Sequence, residues 1–209
     1  IDWATVPKNV GLARAVFADG HAQLLSAQKG TSNSVATIAD WLQSEGPHLL
    51  AIDAPLGWPV RLGRSLIGHT AGARLLADAD RLFHRQTDDE VRRSTRKKPL
   101  EVGADRIART ALSALQMLDE LRGVTGAPIP LSWDPTAIEG VQAIEVYPAA
   151  TMAASRWPAG KYKNRNDIDG RKTIIMQLGR ELDLGSFERK LEDSAHVLDA
   201  AVCVLAGMD

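Results

Sequence analysis

The stretch LLAIDAPLGWP, Leu49 to Pro59, decides the fold. Its first half is a continuous apolar run, the pattern of a parallel strand covered on both faces. The run ends on a carboxylate, Asp53, and Pro55, Gly57 and Pro59 then turn the chain away. Burying an unpaired carboxylate is costly. An Asp ahead of a proline turn often caps that turn. The other explanation is that Asp53 belongs to a cluster of carboxylates gathered to hold divalent metal.

Working upstream, "HAQLLSA" and "VGLARAVFA" read as two strands, and Asp19-Gly20 between them is a strong hairpin signal. Ile1 to Ala4 reads as the end of an earlier strand, followed by a turn at Pro7 to Asn9. With no Met ahead of Ile1, that strand is expected to lack its first residues, the numbering beginning slightly inside the natural protein. Ser34 is placed to cap a helix carrying Val35, Ile38, Ala39 and Leu42, which Gly46-Pro47 stops. The order so far is three antiparallel strands, a helix and a buried parallel strand.

Downstream, residues from about 60 to 140 are Arg-rich and read as helices and loops, an insertion into one α/β domain spanning 1–209 rather than a second domain. Within it, Asp105 to Arg122 carries Ile107, Ala111, Leu115, Leu118 and Leu121 at helical spacing. The Pro-rich connection TGAPIPLSWDP follows. VQAIEVYPAA resumes the sheet, and a short helix, a polar loop, a helix from about Ile168 to Leu182 and a last helix from about Ser194 complete the chain. The expected fold is a mixed five-stranded sheet flanked by helices.

The bulk numbers exclude more than they select. The 209 residues are 44% hydrophobic and 24% charged, with a net charge of −1, so nothing global announces nucleic acid or membrane. No apolar run has the length of a membrane span, and no signal peptide is visible. The single cysteine, Cys203, reads as a small core residue. One thiol rules out an internal disulfide and a Cys-based zinc site and fits a reducing, cytoplasmic setting.

Four acids fall where an acid is awkward: Asp2 on the first strand, Asp53 ending the fourth, Glu145 inside the fifth and Asp199 on the last helix. Leu191, Ala195, Leu198, Val202 and Leu205 define a buried stripe. At about 100° per residue, Asp199 lies roughly 80° from its middle, at the edge of the core face. Asp193 falls nearly opposite, as a solvated residue or N-cap. His196, at about 140° by the same geometry, reads as a surface residue. Each acid has an ordinary explanation alone: a turn cap for Asp53, an ion pair with a middle-region Arg for Glu145, a terminal position for Asp2. Converging carboxylates repel and need a cation. Hard oxygen donors, without Cys or a His cluster, point to Mg²⁺ or Mn²⁺.

The segments GLA, AIDAPLGWP, RQTD, EVYPAA, YK and HVLDAAVCVLA, taken with the element order, resemble the DUF429 family, predicted nucleases of ribonuclease H-like fold. The resemblance runs from Ile1 to the last helix. It implies a metal-dependent phosphodiesterase, a nuclease hydrolysing a nucleic-acid backbone by a two-metal-ion mechanism. Asp2, Asp53 and Asp199 would then be the metal ligands, with Glu145 a further catalytic candidate. Nucleic acid is the implied substrate, and a homodimer is left open.

Two basic clusters suit phosphate contacts. HRQTDDEVRRSTRKKP contains Arg85, Arg92, Arg93, Arg96, Lys97 and Lys98, and GKYKNR adds Lys161, Lys163 and Arg165. Tyr162 is available for stacking. The first cluster equally reads as a solvated helix face balanced by Asp88, Asp89 and Glu90. Thr87 and Asp88 resemble a family motif for which no chemistry follows from the residues. The rival class is a non-catalytic ribonuclease H-like module that binds nucleic acid or a protein. An actin-like phosphotransferase is disfavoured for want of a Gly-rich phosphate loop, and a serine hydrolase for want of a G-x-S-x-G elbow.

Overall fold

The structure, a computed structural model, describes all residues except 104, 135–137, 159 and 209. The last residue of the Pro-rich connection and the second residue of the polar loop therefore lie outside the described residues.

After a 3₁₀ turn at Pro7–Asn9, β1 (Gly11–Ala18) and β2 (His21–Lys29) form an antiparallel hairpin. Asp19 and Gly20 at its tip have φ of 52° and 76°, the doubly left-handed turn that an Asp-Gly pair supplies cheaply. A register shift after Arg14 puts a bulge in the hairpin. Next come α1 (Ser34–Trp41) and β3 (His48–Ile52). Ser34 lies inside the first turn of α1, and its Oγ closes onto Thr31 rather than capping the helix. The connection out of β3 carries α2 (Val60–Leu66), α3 (Ala79–Phe83), α4 (Gln86–Thr95) and α5 (Asp105–Thr125), and leads to β4 (Val141–Glu145), parallel to β3. Four helices follow: α6 (Pro148–Ala154), α7 (Ile168–Leu178), α8 (Glu188–Asp193) and α9 (Ala195–Ala206).

The architecture is mixed α/β. Where one five-stranded sheet is expected, the described strands form two two-stranded sheets, β1–β2 and β3–β4. Asp2 joins them, bridging antiparallel to Gly11 and parallel to Asp53. Its N–H donates to the Gly11 carbonyl and its carbonyl accepts from the Gly11 N–H, both at 2.9 Å. Ile1 completes the link, accepting from the Asp53 N–H at 2.8 Å and donating to the Ala51 carbonyl at 2.8 Å. Beyond these residues a cleft of about 600 Å³ lies between the sheets, lined by Ala13, Ala15 and Phe17 of β1 and by His48, Leu50 and Ala51 of β3.

Alternation along the strands sends side chains into separate cores on opposite faces. Leu12, Leu50 and Ile52 meet Ile38 of α1 and Met117, Leu118 and Leu121 of α5. Ala13, Leu24 and Ala27 meet Leu178, Leu191, Leu198 and Val202. Ala51 meets Cys203 of α9. Seven consecutive residues of α9, Val197 to Cys203, are buried, the signature of a helix enclosed on all sides.

Candidate functional site

Strand phase decides which acids meet. Gly11 faces α9 so closely that an added Cβ would stand 1.9 Å from the His196 carbonyl oxygen. That contact explains a glycine in GLA. Asp2 bridges Gly11 on one side and Asp53 on the other, and laterally paired residues project from the same face. Asp2 and Asp53 therefore look toward α9, and Asp199, fully buried on α9, looks back at them. Three elements thus bring Asp2, Asp53 and Asp199 within reach of one another's charge.

The partners of the three differ. The Asp2 Oδ2 meets His196 Nδ1 at 2.7 Å. Asp199 Oδ1 accepts from the Tyr162 hydroxyl at 2.9 Å, and its Oδ2 is paired with the Lys163 ammonium. Asp53 has no hydrogen bond to its carboxylate among the described residues. Burial, then the charges of Asp2 and Asp199, push its pKa from 3.8 up to about 8, against the pull of Lys163 and the N-terminus. Burial likewise raises Asp199, against the pull of Lys163. The hydrogen bond to Asp2 raises His196. For Lys163 the cost of burial is outweighed by Asp199 and Tyr162, so its pKa also rises. Tyr147, ahead of α6, is raised by burial and by the charge of Asp53.

The loop that carries Lys163 is pinned from below. Arg171 is a buried guanidinium on α7 that donates to the carbonyls of Tyr162 at 2.8 Å, Asn164 at 2.7 Å and Arg165 at 3.0 Å. Gly170 lets the loop lie on the helix, since a Cβ there would stand 2.0 Å from the Lys161 carbonyl oxygen. Tyr162 is buried with its hydroxyl on Asp199, so its ring does not offer the stacking surface expected of it. The side chains of Lys161 and Arg165 are exposed beside it.

Glu145 lies elsewhere. It pairs laterally with Ile52, one residue out of phase with Asp53, and so takes the opposite face. Its Oε1 and Oε2 accept from Arg85 at 2.6 and 2.7 Å, and Oε2 also accepts from the Leu56 N–H at 2.9 Å. Arg85 is held in turn by Asp88, with Nη2 to Oδ1 at 2.6 Å and Nε to Oδ2 at 3.0 Å. Burial would lower the Arg85 pKa, but the hydrogen bonds to Glu145 and Asp88 raise it. Asp88 also accepts from the Arg85 N–H at 2.9 Å, closing the first turn of α4. Arg93 is exposed and paired with Glu90.

Two residues here are absent from the sequence expectations, Arg171 as the loop's anchor and Asp88 as the brace of Arg85, and His196, read first as a surface residue, is a site member. His196 precedes Asp199 by three residues, which places both on one side of α9, and that spacing was the available signal. Nothing local marks Arg171, whose carbonyl partners come from the preceding loop and from Glu192 of α8.

Among the described residues no group of three or more His, Cys, Asp or Glu is spaced to hold a metal ion; Asp2 and Asp199 are paired with His196 and Lys163 instead. In chemistry the donors still fit a hard divalent cation. They are carboxylates, and the unpartnered one is desolvated and short of positive charge.

The chain belongs to the family described as "Protein of unknown function (DUF429)", whose family model matches residues 1–209. No curated protein and no solved structure matches the chain.

Proposed function

We propose that this chain is a metal-dependent phosphodiesterase that hydrolyses a nucleic-acid backbone. The observation that carries the proposal is the meeting of Asp2, Asp53 and Asp199 from three elements on one face, with Asp53 unpartnered. The five-strand, ribonuclease H-like arrangement belongs to the same proposal. It is supported by the bridges through Asp2, which give the lateral order β2, β1, Asp2, β3, β4.

Asp2, Asp53 and Asp199 would hold Mg²⁺ or Mn²⁺. Ions bound there supply a polarised water and offset the charge that builds on a phosphate. The chain's own residues orient the ligands: Tyr162 fixes one oxygen of Asp199, and His196 fixes one of Asp2. Lys161 and Arg165 face solvent from the loop that carries Lys163 and suit contacts with the phosphates of an incoming strand. Glu145 and Arg85 brace the turn after Asp53 and take no part in the chemistry.

The test is a panel of labelled single-stranded, double-stranded and branched DNA and RNA with Mg²⁺ or Mn²⁺, run beside Asp53→Asn. Metal-dependent cleavage by the wild type and none by the variant is expected; cleavage by Asp53→Asn at the wild-type rate ends the proposal. The second reading, a non-catalytic binding module, is favoured by one observation: Lys163 and His196 already partner two of the three carboxylates. Nucleic-acid binding without metal uptake or cleavage would select it.

A further inference from the structure

Asp199 and Lys163 are an unequal pair. The Asp199 side chain is fully enclosed, whereas the side chain of Lys163 is 57% exposed. Lys163 reaches inward from a surface loop whose backbone is fixed by Arg171. Its ammonium also passes 5.1 Å from the centre of the Tyr162 ring. The backbone is therefore anchored, while more than half of the side chain's surface is open to solvent. The other oxygen of Asp199 does not depend on Lys163, because the buried Tyr162 hydroxyl holds it.

Charge makes the arrangement pointed. Three carboxylates share one face, and their repulsion needs a cation. Among the described residues Lys163 is the cation paired with Asp199, and its charge also reaches Asp53 and Asp2. A lysine that enters from solvent can leave again without opening the core, as a displaceable counter-ion must.

Resting on the metal-dependent reading above, we propose that Lys163 is a stand-in for the metal. Its ammonium occupies the place at Asp199 in the metal-free protein, and a divalent cation evicts it to the rim of the site. There the freed ammonium faces the phosphate of an approaching strand, so loading the site with metal also exposes a phosphate contact.

The experiment combines two measurements on the full chain. Calorimetric titration with Mn²⁺ compares wild type, Lys163→Met and Lys163→Arg. Removing the competitor tightens Mn²⁺ binding by about tenfold, the low end for a hydrogen bond to a charged group because Lys163 is part-exposed. Lys163→Arg, which keeps the charge, stays near wild type. The second measurement needs no variant: acetic anhydride labelling of wild type with and without Mg²⁺, read by mass spectrometry with Lys161 as internal control. Eviction raises the labelling of Lys163 relative to Lys161 severalfold. Mn²⁺ binding to wild type with unchanged Lys163 labelling overturns the stand-in and leaves the metal site standing. No Mn²⁺ binding by wild type or Lys163→Met overturns both.

Discussion

Replacing Asp53 by Asn should stabilise the metal-free protein at neutral pH, the opposite of what removing a structural carboxylate does. Burial and the charges of Asp2 and Asp199 lift the folded-state pKa of Asp53 from 3.8 to about 8. A carboxyl group raised on folding contributes stability that is complete below its unfolded pKa of about 4 and is lost as pH rises toward about 8. Each pH unit in that window costs up to about 1.4 kcal/mol. The span from about 4 to 7.5 therefore sets a ceiling of about 5 kcal/mol, and sharing of protons with Asp2 and Asp199 brings the expectation to roughly 2–4 kcal/mol. His196, raised by Asp2, adds a loss of the same sign near the top of the window. Asparagine keeps the shape and carries no charge. In EDTA at pH 7.5, Asp53→Asn should melt roughly 4–16 °C above wild type, given about 2–4 °C per kcal/mol at this size. The gap should close as pH falls toward 4. Saturating Mn²⁺ should reverse the order, because only the wild type gains binding energy. Calorimetric scans at pH 5, 6, 7 and 8, with and without metal, supply the assay. Parallel curves for the two proteins across that range in EDTA, or a less stable variant at pH 8, would refute the reasoning.

Three further outcomes follow from the surroundings of the site. Arg85→Ala strands Asp88 and Glu145 without their shared guanidinium and should cost about 2–4 kcal/mol, measured by urea unfolding, with little loss in an Arg85→Ala, Glu145→Gln, Asp88→Asn triple variant relative to the single. Gly11→Ala puts a methyl into the His196 carbonyl; a loss of roughly 3 kcal/mol and a His196 titration shifted back down, followed by NMR, are expected, and an unchanged His196 would contradict the close approach of α9. Arg171→Met removes the donor that ties down the carbonyls of residues 162, 164 and 165; limited proteolysis should then cut within 160–167 far faster than in wild type.

Much of the path of the chain was legible, because hydrophobic period and turn residues are local signals. Asp19-Gly20 closes the hairpin, the apolar run ending at Ile52 is a strand with a parallel partner, and the spaced apolar residues of α5 are a helix. The sheet was harder to read. The segment around Asp2 contributes a single bridging residue between two ladders, and no periodicity can be seen in one residue. Helical phase makes Asp199 an edge position because it assumes one buried face, whereas Val197 to Cys203 are all buried. The break at Ser194, whose Oγ accepts from the Val197 N–H, separates α8 from α9, and α9 is buried on every side. A helix with no polar face cannot be phased by a stripe. His196 was set on the surface by the same construction, although its ring is held at Asp2.

The proline turn after Asp53 acquires its meaning from residues that sequence patterning put in a separate insertion. The Leu56 N–H is bound by Glu145, and the Gly57 carbonyl lies 3.4 Å from Arg85 Nη1. Arg85 is clamped by Asp88 at the first turn of α4. β4 and the middle region together grip the two residues that follow Ala54-Pro55, Glu145 at Leu56 and Arg85 at Gly57, and Thr87-Asp88, opaque as a motif, becomes part of the grip through Asp88. Glu145 is a carboxylate satisfied by three donors and a full positive charge. Asp53, three residues before Leu56 and on the opposite face, is a carboxylate with neither. A strand end that invests a guanidinium and two acids in fixing the turn beside an unsatisfied carboxylate is built to hold that carboxylate in place against its own repulsion. Loosening the grip with Arg85→Ala should therefore relax Asp53 as well, lowering its pKa toward the ordinary carboxylate range and shrinking the pH-dependent gain from Asp53→Asn.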